Sequence, residues 1–219
     1  MLKCISDKVA EYSPPLNEKV SRRASVLVPL FQRDGEVHVL LTKRSEEMNS
    51  HSGQVSFPGG KEDPEDGGFI GAALRETHEE VGIAPAEVEV IGRLDQIISR
   101  NYYLVTPVVG LIPDNYEAIA NPEANPDEIH SIFDVPLSFF LDPKNHQADE
   151  FSRAGLTHYS HHFQYGDYDV WGLTALLILR LIEVGTGVEI PFDVHHPKSK
   201  VNWMEMSQQY QGERLWDDD

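Results

Sequence analysis

Cysteine is almost absent from this sequence, with Cys4 the only one among 219 residues. A single cysteine cannot form an intramolecular disulfide, so a small secreted fold held together by disulfides is excluded. The first residues, MLKCISDKVAEY, also lack the uninterrupted apolar run of a signal peptide. We therefore expect the protein in the reducing environment of the cytoplasm.

Basic residues are scarce as well. The chain carries 18 Lys and Arg against 36 Asp and Glu, a formal net charge of -18 at pH 7. A field of that sign repels nucleic acids and anionic lipids, so we expect neither a nucleic-acid nor a membrane partner. Long apolar runs are also missing, because the most apolar stretch, residues 170–179, reaches only about half the length of a membrane-spanning helix and ends at Arg180.

The composition that is present, 40% hydrophobic and 25% charged residues, is typical of a soluble globular domain. We divide the chain into a lead-in segment at 1–20, a main domain at 21–190 and a polar tail at 191–219. The lead-in segment includes a short amphipathic helix that the Pro14-Pro15 pair closes, because proline cannot continue a helix.

Strand-like and helical patterns alternate along the main domain. Two leucine-rich, β-branched runs flank the turn dipeptide Asp34-Gly35 and predict a hairpin. The alternating stretch HYSHHFQY, with His158, His161 and His162, is typical of a half-exposed strand rather than a zinc site. In chain order we expect strands at 24–31 and 36–42, a helix at 70–81, strands at 88–94, 104–112 and 129–135, and a helix at 171–184 that stops at Gly185.

The most informative region is 57–83, FPGGKEDPEDGGFIGAALRETHEEVGI, where a glycine-rich acidic loop leads into a helix. On this helix Ile70, Leu74, Thr77 and Val81 follow one another at helical spacing, so we expect them to form a stripe that faces the core. A second face carries the three glutamates described next, and we expect it to lie outside the core.

Glu76, Glu79 and Glu80 stand at positions i, i+3 and i+4, where like charges repel by about 0.2–0.5 kcal/mol per pair. A hard divalent cation would turn that repulsion into chelation, and Mg²⁺ or Mn²⁺ prefers such carboxylate oxygens. A solvated acidic face is the alternative. Neighbouring residues favour the metal site: Arg75 can grip carboxylates, and Gly82 suits the left-handed position past a helix end.

This segment resembles the Nudix box, G-x5-E-x7-R-E-U-x-E-E-x-G-U, in which U is aliphatic; Thr77 takes one aliphatic position. The resemblance implies an α+β fold, a Nudix-type α/β/α sandwich with a mixed β-sheet. It also implies a hydrolase of nucleoside diphosphates linked to another group. By position, Glu76, Glu79 and Glu80 would bind the metal, and Arg75 would orient them.

The first half of the box departs from the pattern because its loop is one residue longer. The glutamate position then falls on Asp66 when counted from Gly60, and we expect Asp66 to fill it, with Glu65 as the second choice.

Residues 40–60, LLTKRSEEMNSHSGQVSFPGG, resemble the coenzyme A pyrophosphatase signature L-L-T-x-R-S-x3-R-x3-G-x3-F-P-G-G. The resemblance implies a substrate of coenzyme A or its thioesters, cleaved to 3′,5′-ADP and (acyl-)phosphopantetheine. Arg44 would contact a substrate phosphate, for which the ribose 3′-phosphate of coenzyme A is one candidate, and Gly59 and Gly60 would let the backbone approach the substrate. Asn49 departs from the signature, which has arginine there.

Hydrolysis also needs a carboxylate that accepts a proton from water. The candidates are a glutamate that the metal does not fully occupy, such as Glu79, and Glu128 of the segment NPDEI. Tyr102 and Tyr103 could stack on adenine, but aromatic residues at a strand start more often pack on the protein.

Three interpretations of function stay open. The first is the Mg²⁺- or Mn²⁺-dependent coenzyme A pyrophosphatase. The second is a Nudix enzyme for another dinucleotide such as ADP-ribose or NADH, which Asn49 favours. The third is a silent domain that only binds a nucleotide. In all three interpretations the protein binds a small nucleotide, and a homodimer is one candidate for its oligomeric state.

Overall fold

The structure is a computed structural model that describes residues 1–17, 20–45, 53–121, 125–153 and 156–197. Its helices are α1 (Leu2–Glu11), α2 (Phe69–Val81) and α3 (Gly172–Thr186). Its strands are β1 (Arg23–Arg33), β2 (Glu36–Arg44), β3 (Val55–Ser56), β4 (Gly59–Lys61), β5 (Glu89–Arg93), β6 (Ile97–Ile98), β7 (Leu104–Leu111), β8 (Ile129–Pro136), β9 (His146–Arg153), β10 (Leu156–Tyr165) and β11 (Tyr168–Trp171).

The main sheet is mixed, which confirms the predicted fold class. Its order is β3-β2-β1-β7-β5, with β4 beside β1, β6 beside β7 and β8 beside β2. Only β1 and β7 run parallel, and the other pairs are antiparallel. The predicted hairpin is confirmed, and Asp34 and Gly35 have φ values of 51° and 84°, the left-handed backbone that a tight two-residue hairpin turn requires.

Helices cover both faces of this sheet, because residues along each central strand point alternately to opposite sides. On β1, Leu27 and Phe31 pack towards α2, whereas Val28 and Leu30 face the cluster that includes residues of α1 and α3. The result is the expected α/β/α arrangement.

A second, smaller sheet has the order β11-β10-β9 and is antiparallel throughout. The histidine-rich stretch lies in β10, as its alternation predicts. Within this sheet His146 and His161 share a hydrogen bond of 2.8 Å.

The lead-in helix α1 buries Ile5 and Val9 in the same core as α3. Gly185, predicted to stop α3, does not do so; the helix continues to Thr186, and Gly187 takes the left-handed position with φ 68°. A side chain on Gly185 would lie 2.7 Å from Ile5, so this glycine permits close contact with α1 instead of ending the helix.

The division into 1–20, 21–190 and 191–219 stays a prediction, and residues 198–219 of the tail lie outside the described part of the chain. None of the described helices is long and apolar enough to cross a membrane.

Candidate active site

Helix α2 carries the predicted site and packs on the sheet at β1 and β4. Gly71 lets the preceding loop lie against its first turn, since an added Cβ would stand 1.9 Å from the carbonyl oxygen of Asp66. Gly82 ends the helix with φ 81°, which confirms the predicted left-handed position.

The buried face of α2 differs from the predicted stripe. Ile70 is 42% exposed, and the sequence prediction that it faces the core is wrong. The buried residues are Ala72, Ala73, Thr77, Glu80 and Val81. Two alanines, rather than larger side chains, bring the helix close to the sheet, and Ile70 extends beyond that contact.

Thr77, the departure from the aliphatic position, is fully buried in this face. Its hydroxyl donates to the carbonyl oxygen of Ala73 at 2.7 Å. The polar atom is thus satisfied within the helix, and the methyl group remains available for packing.

Arg75 joins the loop to the helix. It donates to both carboxylate oxygens of Asp66, at 2.6 and 3.1 Å, and to the carbonyl oxygen of Lys61 at 3.1 Å. The bidentate contact holds the pKa of Asp66 below its usual range. Asp66 therefore occupies the place where the longer loop meets Arg75, whereas Glu65 is exposed.

The same guanidinium also holds two of the three glutamates. Its Nη1 lies 3.0 Å from Glu76 and 3.2 Å from Glu79. Glu76 is partly buried, and burial raises its pKa despite Arg75. Glu79 is 53% exposed at its side chain, so of these two it is the one open to solvent.

Glu80 does not share an exposed face with the other two, and that prediction is wrong. Its side chain is only 2% exposed and sits between α2 and the sheet. Arg44 donates to one oxygen at 3.0 Å, and the backbone N–H of Gly59 donates to the other at 3.0 Å. These donors offset part of the desolvation cost, but burial still raises the pKa of Glu80 to about 7.

Arg44 also forms an ion pair with Glu128, which therefore lies near Glu80. Its Nη2 lies 3.4 Å from the Glu128 carboxylate, which is 43% exposed. The charge of Glu128 contributes to the raised pKa values of both Glu76 and Glu80. The structure thus gathers Glu128 with the helix glutamates and places Arg44 in ion pairs at the centre of the cluster.

Gly59 and Gly60 let strand β4 pass close to its neighbours. A Cβ on Gly59 would stand 2.4 Å from the carbonyl oxygen of Ser25, and its φ is 154°. A Cβ on Gly60 would stand 2.5 Å from the carboxylate carbon of Glu76. Larger residues here would displace the acidic cluster.

The donor set suits a hard cation. Four carboxylates, Glu76, Glu79, Glu80 and Glu128, surround this point. Burial is the main cause of the raised pKa values of Glu76 and Glu80, and repulsion by neighbouring carboxylates adds to it. Among the described residues, no three His, Cys, Asp or Glu side chains stand in a formed metal geometry. In this arrangement Arg44 and Arg75 form ion pairs with all four carboxylates.

An open cavity of about 570 Å³ borders Glu79 and is lined by His78, Glu79, Gly82, Asn121 and Asn125. It provides space for a ligand beside the most exposed of the three helix glutamates. Asn49, the departure from the upstream signature, lies outside the described residues.

Sequence reasoning missed the partners of Arg44 and the role of Gly71. Arg44 lies 36 residues before Glu80, and they meet only because β2 and α2 pack in one domain. The sequence signal for the close contact was Gly71 itself, a glycine at the third residue of a helix.

Similar proteins identify the family of the chain independently of the site geometry. The family model described as "NUDIX domain" matches residues 21–154. The chain is 38% identical over 185 residues to "Nudix hydrolase 15, mitochondrial" of Arabidopsis thaliana, covering 81% of this chain and 64% of that protein. It therefore spans less than two thirds of that relative's length.

Two other relatives are covered more fully. "Peroxisomal coenzyme A diphosphatase NUDT7" of Mus musculus is 38% identical over 185 residues, which are 80% of this chain and 77% of that protein. "Uncharacterized Nudix hydrolase NudL" of Photorhabdus laumondii is 40% identical over 173 residues, which are 78% of this chain and 90% of that protein.

Proposed function

The chain belongs to the family of Nudix hydrolases, and we propose that it hydrolyses the pyrophosphate bond of coenzyme A or its thioesters. The products would be 3′,5′-ADP and (acyl-)phosphopantetheine. The observation that carries the proposal is the convergence of Glu76, Glu79, Glu80 and Glu128 beside Gly59-Gly60, in a chain with the upstream L-L-T-x-R-S and F-P-G-G residues.

The cofactor would be Mg²⁺ or Mn²⁺, held by Glu76, Glu79 and Glu80. A bound divalent cation supplies charge neutralisation at the diphosphate and lowers the pKa of a water molecule. Oxygen donors of this kind match the preference of both ions.

Arg75 and Arg44 would act by positioning. Arg75 fixes Glu76 and Glu79 against the loop, and Arg44 fixes Glu80 and Glu128. Because Arg44 lies among the carboxylates, a phosphate that it contacts would be part of the reacting diphosphate. Its role as a substrate contact stays a prediction.

Glu128 or Glu79 would accept the proton of the attacking water. Both side chains are more than two fifths exposed, and Glu79 lines the open cavity beside α2. Gly59 and Gly60, which have no side chains, would leave room for the substrate backbone contact predicted from the sequence.

Another dinucleotide, ADP-ribose or NADH, is the second candidate substrate, favoured by Asn49 where the coenzyme A signature has arginine. A panel of coenzyme A, dephospho-coenzyme A, ADP-ribose and NADH, with and without Mg²⁺, separates the candidates when products are identified by chromatography. We expect metal-dependent release of 3′,5′-ADP from coenzyme A at the highest kcat/KM. Preferred turnover of ADP-ribose or NADH would overturn the substrate assignment, and no turnover of any compound would favour a silent domain.

The cytoplasm is the proposed location, based on the single cysteine. The names of two relatives refer to mitochondria and peroxisomes, so fractionation of cells that express the tagged chain is the direct test. Recovery in an organelle would contradict the proposal. A homodimer is likewise open to test by light scattering.

A further inference from the structure

Two cations and one aromatic ring meet at the end of the main sheet nearest the carboxylate site. The guanidinium carbon of Arg22 lies 4.6 Å from the centre of the Tyr103 ring, and the Nζ of Lys61 lies 5.8 Å from it. Both distances place a positive charge beside the same ring. We call Arg22, Lys61 and Tyr103 the Tyr103 cluster.

The sheet register brings these residues together. Arg22 directly precedes β1, Tyr103 directly precedes β7, and Lys61 ends β4. Ala24 of β1 lies opposite Lys61 on one side and Val105 on the other, so β1 runs between β4 and β7 at about 5 Å from each. The N–H of Tyr103 donates to the Ser99 hydroxyl at 3.1 Å, which fixes the turn before β7.

The cluster carries two positive charges. Within the part of the chain that the structure describes, neither Arg22 nor Lys61 forms an ion pair with a carboxylate, whereas Arg33, Arg44, Arg75 and Arg180 each do. Ordinary cation–π packing accounts for one cation on the ring. It does not account for two like charges beside one neutral ring, because they repel each other.

An anion at this point would relieve that repulsion. The two cations already hold the pKa of Tyr103 below its usual range, with Arg22 as the larger cause, so they favour negative charge on an oxygen there. A phosphate oxygen carries such a charge at neutral pH, and paired guanidinium and ammonium groups suit it.

The cluster adjoins the carboxylate site directly. The carbonyl oxygen of Lys61 accepts a hydrogen bond from Arg75 at 3.1 Å, and the preceding Gly60 lies against Glu76. A ligand that spans one residue of β4 would therefore reach both places.

We propose that Arg22, Lys61 and Tyr103 bind a second phosphate of the substrate, the monoester on its ribose, while the diphosphate lies at the carboxylates. The substrate class would be nucleoside 3′-phosphate 5′-diphosphates. This inference rests on the proposed function, and it leaves Arg44 to the reacting diphosphate.

The test measures equilibrium binding of 3′,5′-ADP and of AMP to the full chain by calorimetry, in low-salt buffer without metal. The wild type should bind 3′,5′-ADP about tenfold more tightly than AMP, as expected for one charge-assisted phosphate contact near the surface. The variant Arg22→Met with Lys61→Met should lose this preference, because it lacks both cations. Lys144→Met, which removes an exposed lysine elsewhere, is the matched control and should keep it.

A second variant guards against a fold defect in the first. Tyr103→Phe keeps the ring and both cations and removes only the phenol hydroxyl, which would donate to the bound phosphate, so it should weaken 3′,5′-ADP binding and leave AMP binding within about twofold. An unchanged preference in the double variant would overturn the inference, and so would a wild type that does not distinguish the two nucleotides.

Failure of the proposed function has a different result. If the wild type shows the cluster-dependent preference for 3′,5′-ADP but does not hydrolyse coenzyme A, the phosphate subsite is supported and the proposed activity is wrong. If it hydrolyses coenzyme A without that preference, the activity is supported and the subsite is wrong.

Discussion

Two networks of arginines and carboxylates in this protein differ in their charge balance. Between α1, β5 and α3, Arg180 bonds Asp95 at 2.7 Å, and the Tyr12 hydroxyl donates to the same carboxylate at 2.8 and 2.9 Å. Asp95 is only 2% exposed, and both of its carboxylate oxygens accept hydrogen bonds. Glu183, at the rim, adds a second carboxylate to Arg180.

At α2 the balance is different. Arg44 and Arg75 together contact six carboxylates: Asp63, Asp66, Glu76, Glu79, Glu80 and Glu128. A network that only stabilises the fold gains nothing from surplus negative charge, which raises the energy of the folded state. The surplus at α2 is therefore the part of the arrangement that suits a cationic ligand.

The largest expected effect is a loss of activity, without a loss of stability, from a change in the α2 network. Glu79→Gln should reduce kcat/KM for coenzyme A by on the order of a thousandfold, since it removes a charged metal ligand at the transition state. The unfolding midpoint should stay unchanged because Glu79 is largely exposed. Glu65→Gln, in the neighbouring loop, is the control and should be fully active. Normal hydrolysis by Glu79→Gln would remove this residue from the metal site.

A change in the Tyr12–Asp95–Arg180 network should instead lower stability and leave activity unchanged. Asp95→Asn should lower the free energy of unfolding by about 3 kcal/mol, because it leaves the buried Arg180 without its countercharge. Urea denaturation measures this loss, and kcat/KM per folded molecule should be unchanged. Glu183→Gln at the rim should cost less than about 0.5 kcal/mol. Loss of activity in folded Asp95→Asn would show that the two networks are coupled.

Glu80 combines features of both networks. Glu80→Gln should reduce activity, because it removes a charged metal ligand, but it should not lower the free energy of unfolding by more than about 1 kcal/mol. The raised pKa of Glu80 means that burial of its charge already outweighs the ion pair with Arg44 and the N–H of Gly59, and Arg44 keeps Glu128 as a partner. Urea denaturation measures the difference, and a loss of about 3 kcal/mol would show that the Arg44 ion pair outweighs the burial of this charge.

The smallest expected effect concerns the histidines of the second sheet. Burial lowers the pKa of His146 from 6.5 to about 4, so the folded state favours the neutral ring. Its contribution to stability is complete above pH 6.5 and is lost as the pH falls from about 6.5 to about 4, where the unfolded chain binds the proton more readily. His146→Gln should weaken the pH dependence of the unfolding midpoint in that window. An identical dependence in wild type and variant would show that His146 is not its source.

Local features of the fold could be predicted from the sequence. The hairpin at Asp34-Gly35, the helix before Gly82 and the strand of alternating histidines each depend on nearby residues, and the structure contains all of them. The contact between Asp66 and Arg75 agrees with the position chosen for Asp66 in the longer loop, because a Gly-bounded loop and one helical turn set their separation.

Long-range features could not be predicted in the same way. The spacing of Glu76, Glu79 and Glu80 gives their angles around the helix but not the depth at which α2 meets the sheet. Ala72 and Ala73 allow a close approach, and this buries Glu80 and leaves Ile70 exposed. The meeting of Arg44, Glu80 and Glu128 depends on the register of β2 and β8, where a bulge separates Lys43 from Arg44.

The multiple contacts of Arg75 also bear on the thermodynamics of ligand binding. One guanidinium ties the loop at Lys61 and Asp66 to Glu76 and Glu79, so these groups lose their conformational freedom when the protein folds. A preorganised site needs little ordering on association. Calorimetry of ligand binding should accordingly show a small entropic penalty. The heat-capacity change should be no larger than the value expected from the apolar surface that the ligand covers.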